Sequence, residues 1–353
     1  MNARIARRRA LQFAGAACAS LVLSGCGTDS ARAGLYVAGP DGAPRWIAET
    51  TGAPAWSPNG ETLAWGDEHG LSMWNVATDQ ISLLTATRVV GRPAWSPDSS
   101  EIAFLDPQTR LLRTLNVQSG ITTPLSILYE GSDGAIRPPI VTRGGPAWSP
   151  DGLRIAFICW DGQGDELCVF DAAGDIRQQV TTLGGTGAGN SGPARSSVTS
   201  MAWSPDGVAI AVAVQAEQKG ATAGVFRVEL AVKSGTRLTK TTVNAPIVWE
   251  AATDDLVFSA SVEGRSDVYR LPAAGGKPSA MTLALADGAR EPAVDDAGAL
   301  AVVSGSRIAV LRPGSDEVTY LEEAGLVGAA PALSADGKHL AYLALRQPIE
   351  QYP

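Results

Sequence analysis

The sequence predicts an all-β protein, a β-propeller of seven blades. A phrase close to Ala-Trp-Ser-Pro-Asp-Gly recurs along the 353 residues, and an apolar strand follows seven residues after each of its tryptophans. Three weaker copies keep this spacing. The seven register positions are Trp56, Trp95, Trp148, Trp203, Trp249, Val294 and Leu333. Their separations of 39 to 55 residues lie in the range of propeller repeats.

Each repeat is predicted to form four short strands. The first strand ends at the tryptophan, and Ser-Pro-Asp-Gly then makes a tight turn, because proline fixes φ and glycine accepts positive φ. The second and third strands are apolar runs. The fourth is more polar, as expected for the outer edge of a blade that faces water.

The last blade is predicted to combine strands from both ends of the chain. The seventh repeat has only a first strand near 330–334 and a second at 338–345. The missing pair fits residues 34–38 and 45–48, which follow the third- and fourth-strand patterns. This closure would join the chain ends and remove a free sheet edge.

The N-terminus has the pattern of an export signal. A basic head from Arg4 to Arg9 precedes a 14-residue apolar run, too short to span a membrane. Leu-Ser-Gly-Cys then resembles the lipobox of bacterial lipoproteins, which implies cleavage before Cys26 and acylation of Cys26. We expect a signal peptide at 1–25, a lipidated linker at 26–32, a propeller at 33–345 and a tail at 346–353. The Sec and Tat export routes both remain open.

Charge argues against a nucleic-acid partner. The formal net charge is −8, and it becomes −12 when the arginines of the signal segment are removed. A body this acidic repels phosphate backbones.

The repeated Trp-Ser-Pro-Asp-Gly phrase resembles the repeat of TolB-type, WD-like propellers. The resemblance implies a non-catalytic scaffold that binds peptide segments of envelope partners at the mouth of the central channel. The N-terminal export pattern and lipobox imply a location outside the cytoplasm, either lipid-anchored on the outer face of the cytoplasmic membrane or in the periplasm. We expect the protein to be a monomer.

The long connections predict which face binds. In a four-stranded meander, the loops after the second and fourth strands share one face, here called the inserted face; the opposite one, with short turns, is the turn face. All long segments fall on the inserted face, which favours a binding surface there. The candidate contacts are residues that precede inner strands or lie in the insertions: Arg92, Tyr129, Arg137, Arg143, Arg195, Arg290 and Glu291. Arginines suit peptide or glycan carboxylates.

The alternative is a propeller enzyme, lactonase-like or lyase-like, that acts on a small molecule or cell-wall glycan. Against it, the chain has two histidines, His69 and His339, predicted on opposite faces. We expect no catalytic residues, metal site or cofactor. The tryptophans are expected to pack between blades, although a ring of ligand-stacking aromatics is a second possibility.

Cys159 and Cys168 are predicted to form a disulfide, because export places them in an oxidising compartment. If Gln163 and Gly164 form a two-residue hairpin turn, Cys159 and Cys168 are direct cross-strand partners with Cα atoms about 4.5 Å apart. Two buried free thiols are the alternative.

Overall fold

A computed structural model describes ten stretches of the chain. They are residues 32–39, 43–125, 129–130, 136–137, 140–160, 165–172, 177–181, 196–216, 221–321 and 329–346. The predicted signal peptide, Cys26 and Arg195 lie outside them. Within these stretches the regular structure is β-strand, and no helix there is long and apolar enough to cross a membrane.

The described strands form seven sheets, each built on an antiparallel four-stranded meander, and these are the seven predicted blades. Blade 1 contains β3 (Ala55–Trp56), β4 (Thr62–Gly66), β5 (Leu71–Asn75) and β6 (Gln80–Thr85). Blade 2 contains β7 (Val90–Trp95), β8 (Glu101–Asp106), β9 (Leu111–Asn116) and β10 (Thr122–Leu125). Blade 3 contains β13 (Ile140–Trp148), β14 (Arg154–Trp160), β15 (Asp165–Asp171) and β16 (Arg177–Gln179), with two short strands outside them, β11 (Tyr129–Glu130) and β12 (Ile136–Arg137).

The next three blades are regular four-stranded sheets. Blade 4 contains β17 (Ser196–Trp203), β18 (Ala209–Ala216), β19 (Gly224–Glu229) and β20 (Ser234–Thr239). Blade 5 contains β21 (Val243–Glu250), β22 (Asp255–Val262), β23 (Arg265–Pro272) and β24 (Ser279–Ala280). Blade 6 contains β25 (Arg290–Val294), β26 (Leu300–Ser304), β27 (Arg307–Leu311) and β28 (Val318–Leu321).

Blade 7 confirms the mixed closure. Its strands are β29 (Ala329–Leu333) and β30 (Leu340–Arg346) from the C-terminal end, with β1 (Arg32–Ala38) and β2 (Pro44–Glu49) from the N-terminal end. β1 pairs with β30 over seven residues, and Tyr36 stacks on its partner Tyr342 with ring centroids 5.8 Å apart.

The hydrophobic core lies between blades. The described residues form seven buried clusters, and each combines side chains of two neighbouring blades. One joins blades 7 and 1 through Leu35, Trp56 and Leu63, for example. Alternate side chains of a strand point to opposite sheet faces, so a middle strand buried on both faces supplies two clusters. This explains the continuous apolar runs of the second strands.

The sequence predicted a simple loop before blade 3, but the insertion there contains two short strands. β11 and β12 pair with each other, and β11 adds in parallel to β16 at the outer edge of the blade. The inner strand β13 also begins at Ile140, earlier than expected.

Candidate binding surface at the channel mouth

Six of the seven inner strands have a register shift a few residues before the tryptophan position. The shifts occur in β7, β13, β17, β21, β25 and β29. A bulge of this kind redirects side chains and often lies beside functional sites. Because the inner strands run toward the turn face, the bulges lie at the inserted-face end of the channel.

Two predicted contact residues converge on the bulge of blade 7. Arg92 donates to the carbonyl oxygens of Ala330 and Pro331 at 3.5 and 3.2 Å, and Glu291 accepts a hydrogen bond from the backbone N–H of Ala330 at 2.7 Å. Arg92 belongs to blade 2, so its guanidinium reaches past the inner strand of blade 1, which has only two residues. Blades 2, 6 and 7 are thereby tied at the mouth.

The backbone here is strained in two places. Glu291 and Ala330 have φ of 54° and 50°, in the left-handed region that non-glycine residues seldom occupy. Strain of this kind persists where the surrounding structure enforces it, and it is frequent at binding and catalytic sites. The two residues occupy the same position in neighbouring repeats, three before the register residue.

Arg290 is the most accessible of the predicted contacts with a described side chain. That side chain is 44% exposed, with Nε 3.6 Å from the Glu291 carboxylate and Nη1 3.5 Å from the Gly305 carbonyl. Because these contacts are weak, the guanidinium can donate hydrogen bonds to a carboxylate of a partner. Arg92, in contrast, is half-buried. Arg92 and Glu291 therefore brace the backbone of blade 7, a role that the sequence does not predict.

The other predicted contacts are described by backbone alone or lie outside the described residues. Tyr129 of β11 is the direct cross-strand partner of Arg137 of β12, so the insertion brings these two positions together. Arg143 lies within β13, opposite Ile158. Arg195 is outside the described residues. The expectation that the arginines precede the inner strands is corrected: Arg92, Arg143 and Arg290 are part of them.

Sequence reasoning missed a charged group beside Arg290. Arg307 Nη2 lies 4.0 Å from Asp287 Oδ2, and its guanidinium lies over the Tyr320 ring, 4.1 Å from the centroid. The hairpin that contains Gly305 connects these groups to Arg290. The repeat position of Arg307 could have identified this group. Arg307 begins the third strand of its blade, and third strands begin at the inserted face.

The turn face has a different chemistry. In five repeats the serine hydroxyl donates to the oxygen of the Asp or Asn two residues later, at 2.5 to 2.7 Å. The serine hydrogen bond is the main cause that lowers the pKa of Asp98, Asp151 and Asp206. At Asp336 the largest cause of the lowered pKa is Lys338, followed by Ser334. These acids form the turns.

The repeat tryptophans seal blade interfaces. Trp56, Trp95, Trp203 and Trp249 are each 8% exposed. Three indoles donate to a backbone carbonyl of the preceding blade at 2.9 to 3.0 Å. The pairs are Trp56 with Ala332, Trp95 with Ala55 and Trp203 with Ala147. Trp249 instead donates to Asp254 of its own blade, and the buried Nε1 of Trp148 has no hydrogen-bond partner among the described residues. This burial leaves no ring of exposed aromatics at these positions.

Neither histidine lies in a metal-binding arrangement. His339 stacks on Trp56 with ring centroids 5.5 Å apart, and the His69 side chain is 79% exposed next to Glu68. In the part of the chain that the structure describes, no group of three or more His, Cys, Asp or Glu side chains could hold a metal ion.

Cys159 and Cys168 are joined as a disulfide in the structure, but the predicted register is wrong by two residues. Trp160 pairs with Asp165 instead of Leu167, and Cys159 lies opposite Glu166. The bond therefore runs diagonally across the two strands, with Cα atoms 6.0 Å apart. Both cysteines are fully buried in the cluster between blades 2 and 3.

Comparisons with known proteins agree with this architecture. A family model described as the TolB beta propeller domain matches residues 135–348. A structure assigned as TolB from Agrobacterium tumefaciens is 14% identical, with 90% of this chain and 100% of that chain covered and a TM-score of 0.54. A search of curated proteins found no match.

Enzymes of the same fold are also similar in structure. Oligogalacturonate lyase from Vibrio parahaemolyticus is 9% identical, with 92% of this chain and 100% of that chain covered and a TM-score of 0.63. Virginiamycin B lyase from Staphylococcus aureus is 14% identical, with 89% and 99% covered and a TM-score of 0.56. At these identities the likenesses show the fold alone.

Proposed function

The chain belongs to the TolB beta propeller domain family, and we propose that it is a non-catalytic, lipid-anchored scaffold of the cell envelope. In this proposal Cys26 carries the anchor, and the inserted-face mouth of the channel binds a protein or peptide segment of an envelope partner. The observation that supports it most is the bulged mouth itself, where Arg290 stays accessible beside a braced and strained backbone.

The chemistry of the mouth favours a segment that offers both carboxylates and backbone groups. Arg290 can donate to a carboxylate, while Glu291 and Asp287 can accept from a partner's N–H groups or pair with its cations. Mixed charge of this kind gives specificity and orientation more than raw affinity.

The binding proposal is tested by recovery of envelope partners from detergent-solubilised membranes. We expect Arg290→Ala to weaken the complex by about tenfold or more, because hydrogen bonds to charged groups contribute about 1.5–3 kcal/mol. The matched control is Arg312→Ala, an exposed arginine after β27 on the turn face. Equal weakening by both substitutions would contradict the choice of face.

The anchor is tested independently. Cys26→Ser should release the protein from membranes or leave an uncleaved precursor, because the acylated side chain is lost. Labelled fatty acid should attach to the natural chain and not to the variant. Labelling of the variant would show that the lipid lies elsewhere.

A further inference from the structure

The position of the closing strand points to how the propeller faces the membrane. β1 starts at Arg32, which pairs with Arg346 at the end of β30. A second strand ends at the inserted face and a third strand begins there, so the chain enters blade 7 at the inserted face. The tether from Cys26 therefore reaches the fold at the same face as the channel mouth.

The length of the tether disfavours an orientation in which the turn face meets the bilayer. Six residue steps separate Cys26 from Arg32, and a fully extended chain of this length spans about 20 Å. The β1–β30 ladder has seven residue pairs, so it is itself about 20 Å long. A tether drawn along blade 7 would be fully extended by the time it reached the turn face.

The two faces also differ in charge, and the difference favours the same orientation as the tether. The first turn of each of the seven blades exposes one acid toward the turn face. The seven are Glu61, Asp98, Asp151, Asp206, Asp254, Asp296 and Asp336. Lys338, paired with Asp336 at 2.8 Å, is the one lysine or arginine in these first turns, all of which the structure describes. The described turns between third and fourth strands, on the same face, expose Lys233, Lys277 and Arg312 together with Asp79, Asp316 and Glu317, so the turn face stays acidic.

The inserted face is mixed in charge. Its described connections expose Arg88, Arg110 and Lys240 together with Glu68, Glu263 and Asp287, and Arg290 is exposed at the start of β25. Membrane surfaces with anionic lipids repel carboxylates within roughly a Debye length, about 8–10 Å at physiological salt. Turning the seven acids away from the bilayer avoids this repulsion.

We infer that the inserted face is turned toward the bilayer that holds the anchor. The segment bound at the channel mouth is then the membrane-proximal part of a protein held in the same membrane, and the acidic turn face points into the aqueous space. This inference rests on the proposed anchor at Cys26 and deepens the proposed function by naming the kind of partner.

Quenching by lipid tests the orientation directly. Single fluorophores are attached through Val262→Cys and His69→Cys on the inserted face, and through Leu153→Cys and Val208→Cys on the turn face. All four residues are exposed. The lipidated full-length variants are placed in phosphatidylglycerol–phosphatidylethanolamine vesicles that carry a headgroup-spin-labelled lipid. Vesicles without the spin label provide the reference, and thermal unfolding checks the fold of each variant.

We expect loss of fluorescence at Val262 and His69, and little loss at Leu153 and Val208. Equal loss on both faces, as in a side-on orientation, or greater loss on the turn face would overturn the inference. Failure of the lipidated protein to float with the vesicles would overturn the proposed anchor, and the orientation with it. Flotation with the wrong order of quenching would overturn the orientation alone.

Discussion

At the scale of single residues, the tryptophan and the aspartate of the repeat phrase have different roles. The tryptophan fills the blade interface and in three copies donates across it. The aspartate accepts from the serine hydroxyl and from the backbone N–H two residues later, as Asp206 does from Ser204 and Val208. Because both residues recur at fixed repeat positions, the packing of the tryptophan between blades and the turn-forming role of the aspartate could be predicted from the sequence alone.

Trp203 and Trp148 form a matched pair for measuring the indole hydrogen bond. Replacing either by Phe removes the N–H group and part of the ring. Trp203→Phe also leaves the Ala147 carbonyl without this donor, whereas Trp148 Nε1 has no partner among the described residues. We expect Trp203→Phe to reduce the free energy of unfolding by about 1 kcal/mol more than Trp148→Phe. Equal losses in urea unfolding would contradict the role of the bond.

Asp206 should contribute to acid sensitivity. Its pKa is lowered, mainly by the Ser204 hydrogen bond, so its stabilising contribution is present above the ordinary aspartate pKa of about 4. That contribution is lost as the pH falls through the lower folded pKa. Asp206→Asn keeps the acceptor oxygen, as Asn59 does naturally, so we expect the stability difference from the natural chain to shrink between pH 5 and 3.

The reciprocal variant is the control for this pH effect. Asn59→Asp introduces a carboxylate at the same place in blade 1 and should add acid sensitivity that the natural turn lacks. Urea unfolding at several pH values measures both variants. A stability difference for Asp206→Asn that stays constant from pH 5 to 3 would show that the pKa of the Asp206 carboxyl is the same in the folded and unfolded chains, which contradicts the prediction.

At the scale of elements, the sequence predicted strands and turns better than their register. The apolar runs located the second and third strands, because blade interfaces bury both faces of these strands. Register depends on the length of the connection, and the sequence between the two strands does not show that Trp160 pairs with Asp165 and not with Leu167. Blade 5 shows a second limit. There Glu250 replaces the turn serine, and its buried carboxylate pairs with the half-buried Arg270 at 2.7 Å, a partner that the repeat phrase does not predict.

The diagonal disulfide should be present in the exported protein. Alkylation of the denatured, unreduced mature chain should modify neither Cys159 nor Cys168, as mass spectrometry would show. Reduction should decrease the free energy of unfolding by about 2–3 kcal/mol, the loop-entropy value for a short ring. Two freely alkylated thiols at these positions would refute the prediction.

At the scale of the whole molecule, the closure of blade 7 and the placement of long connections were predictable, since both follow from counting strands around a ring. The bracing at the channel mouth was not. Arg92 reaches blade 7 only because β3 is short and the inner strands bulge, and neither feature has a sequence signal. The candidate contacts stay a prediction: the structure shows Arg92 and Glu291 in contacts with blade 7 and leaves Arg290 exposed.

The closure should be essential for folding. Deleting residues 33–49 removes half of blade 7 and exposes the edge of β30, so we expect loss of the cooperative thermal transition. Deleting residues 27–31 shortens only the segment before β1 and is the matched control, with an unchanged transition expected. A folded 33–49 deletion would mean that the remaining blades close without these strands.

The central claim, binding at the inserted-face mouth, is tested most directly by site-specific photocrosslinking in native envelopes. A benzophenone amino acid replaces Arg290 at the mouth in one variant and Arg312 on the turn face in the other. We predict a discrete adduct with an envelope protein from position 290 and none from position 312. Adducts from position 312, with none from position 290, would contradict the claim.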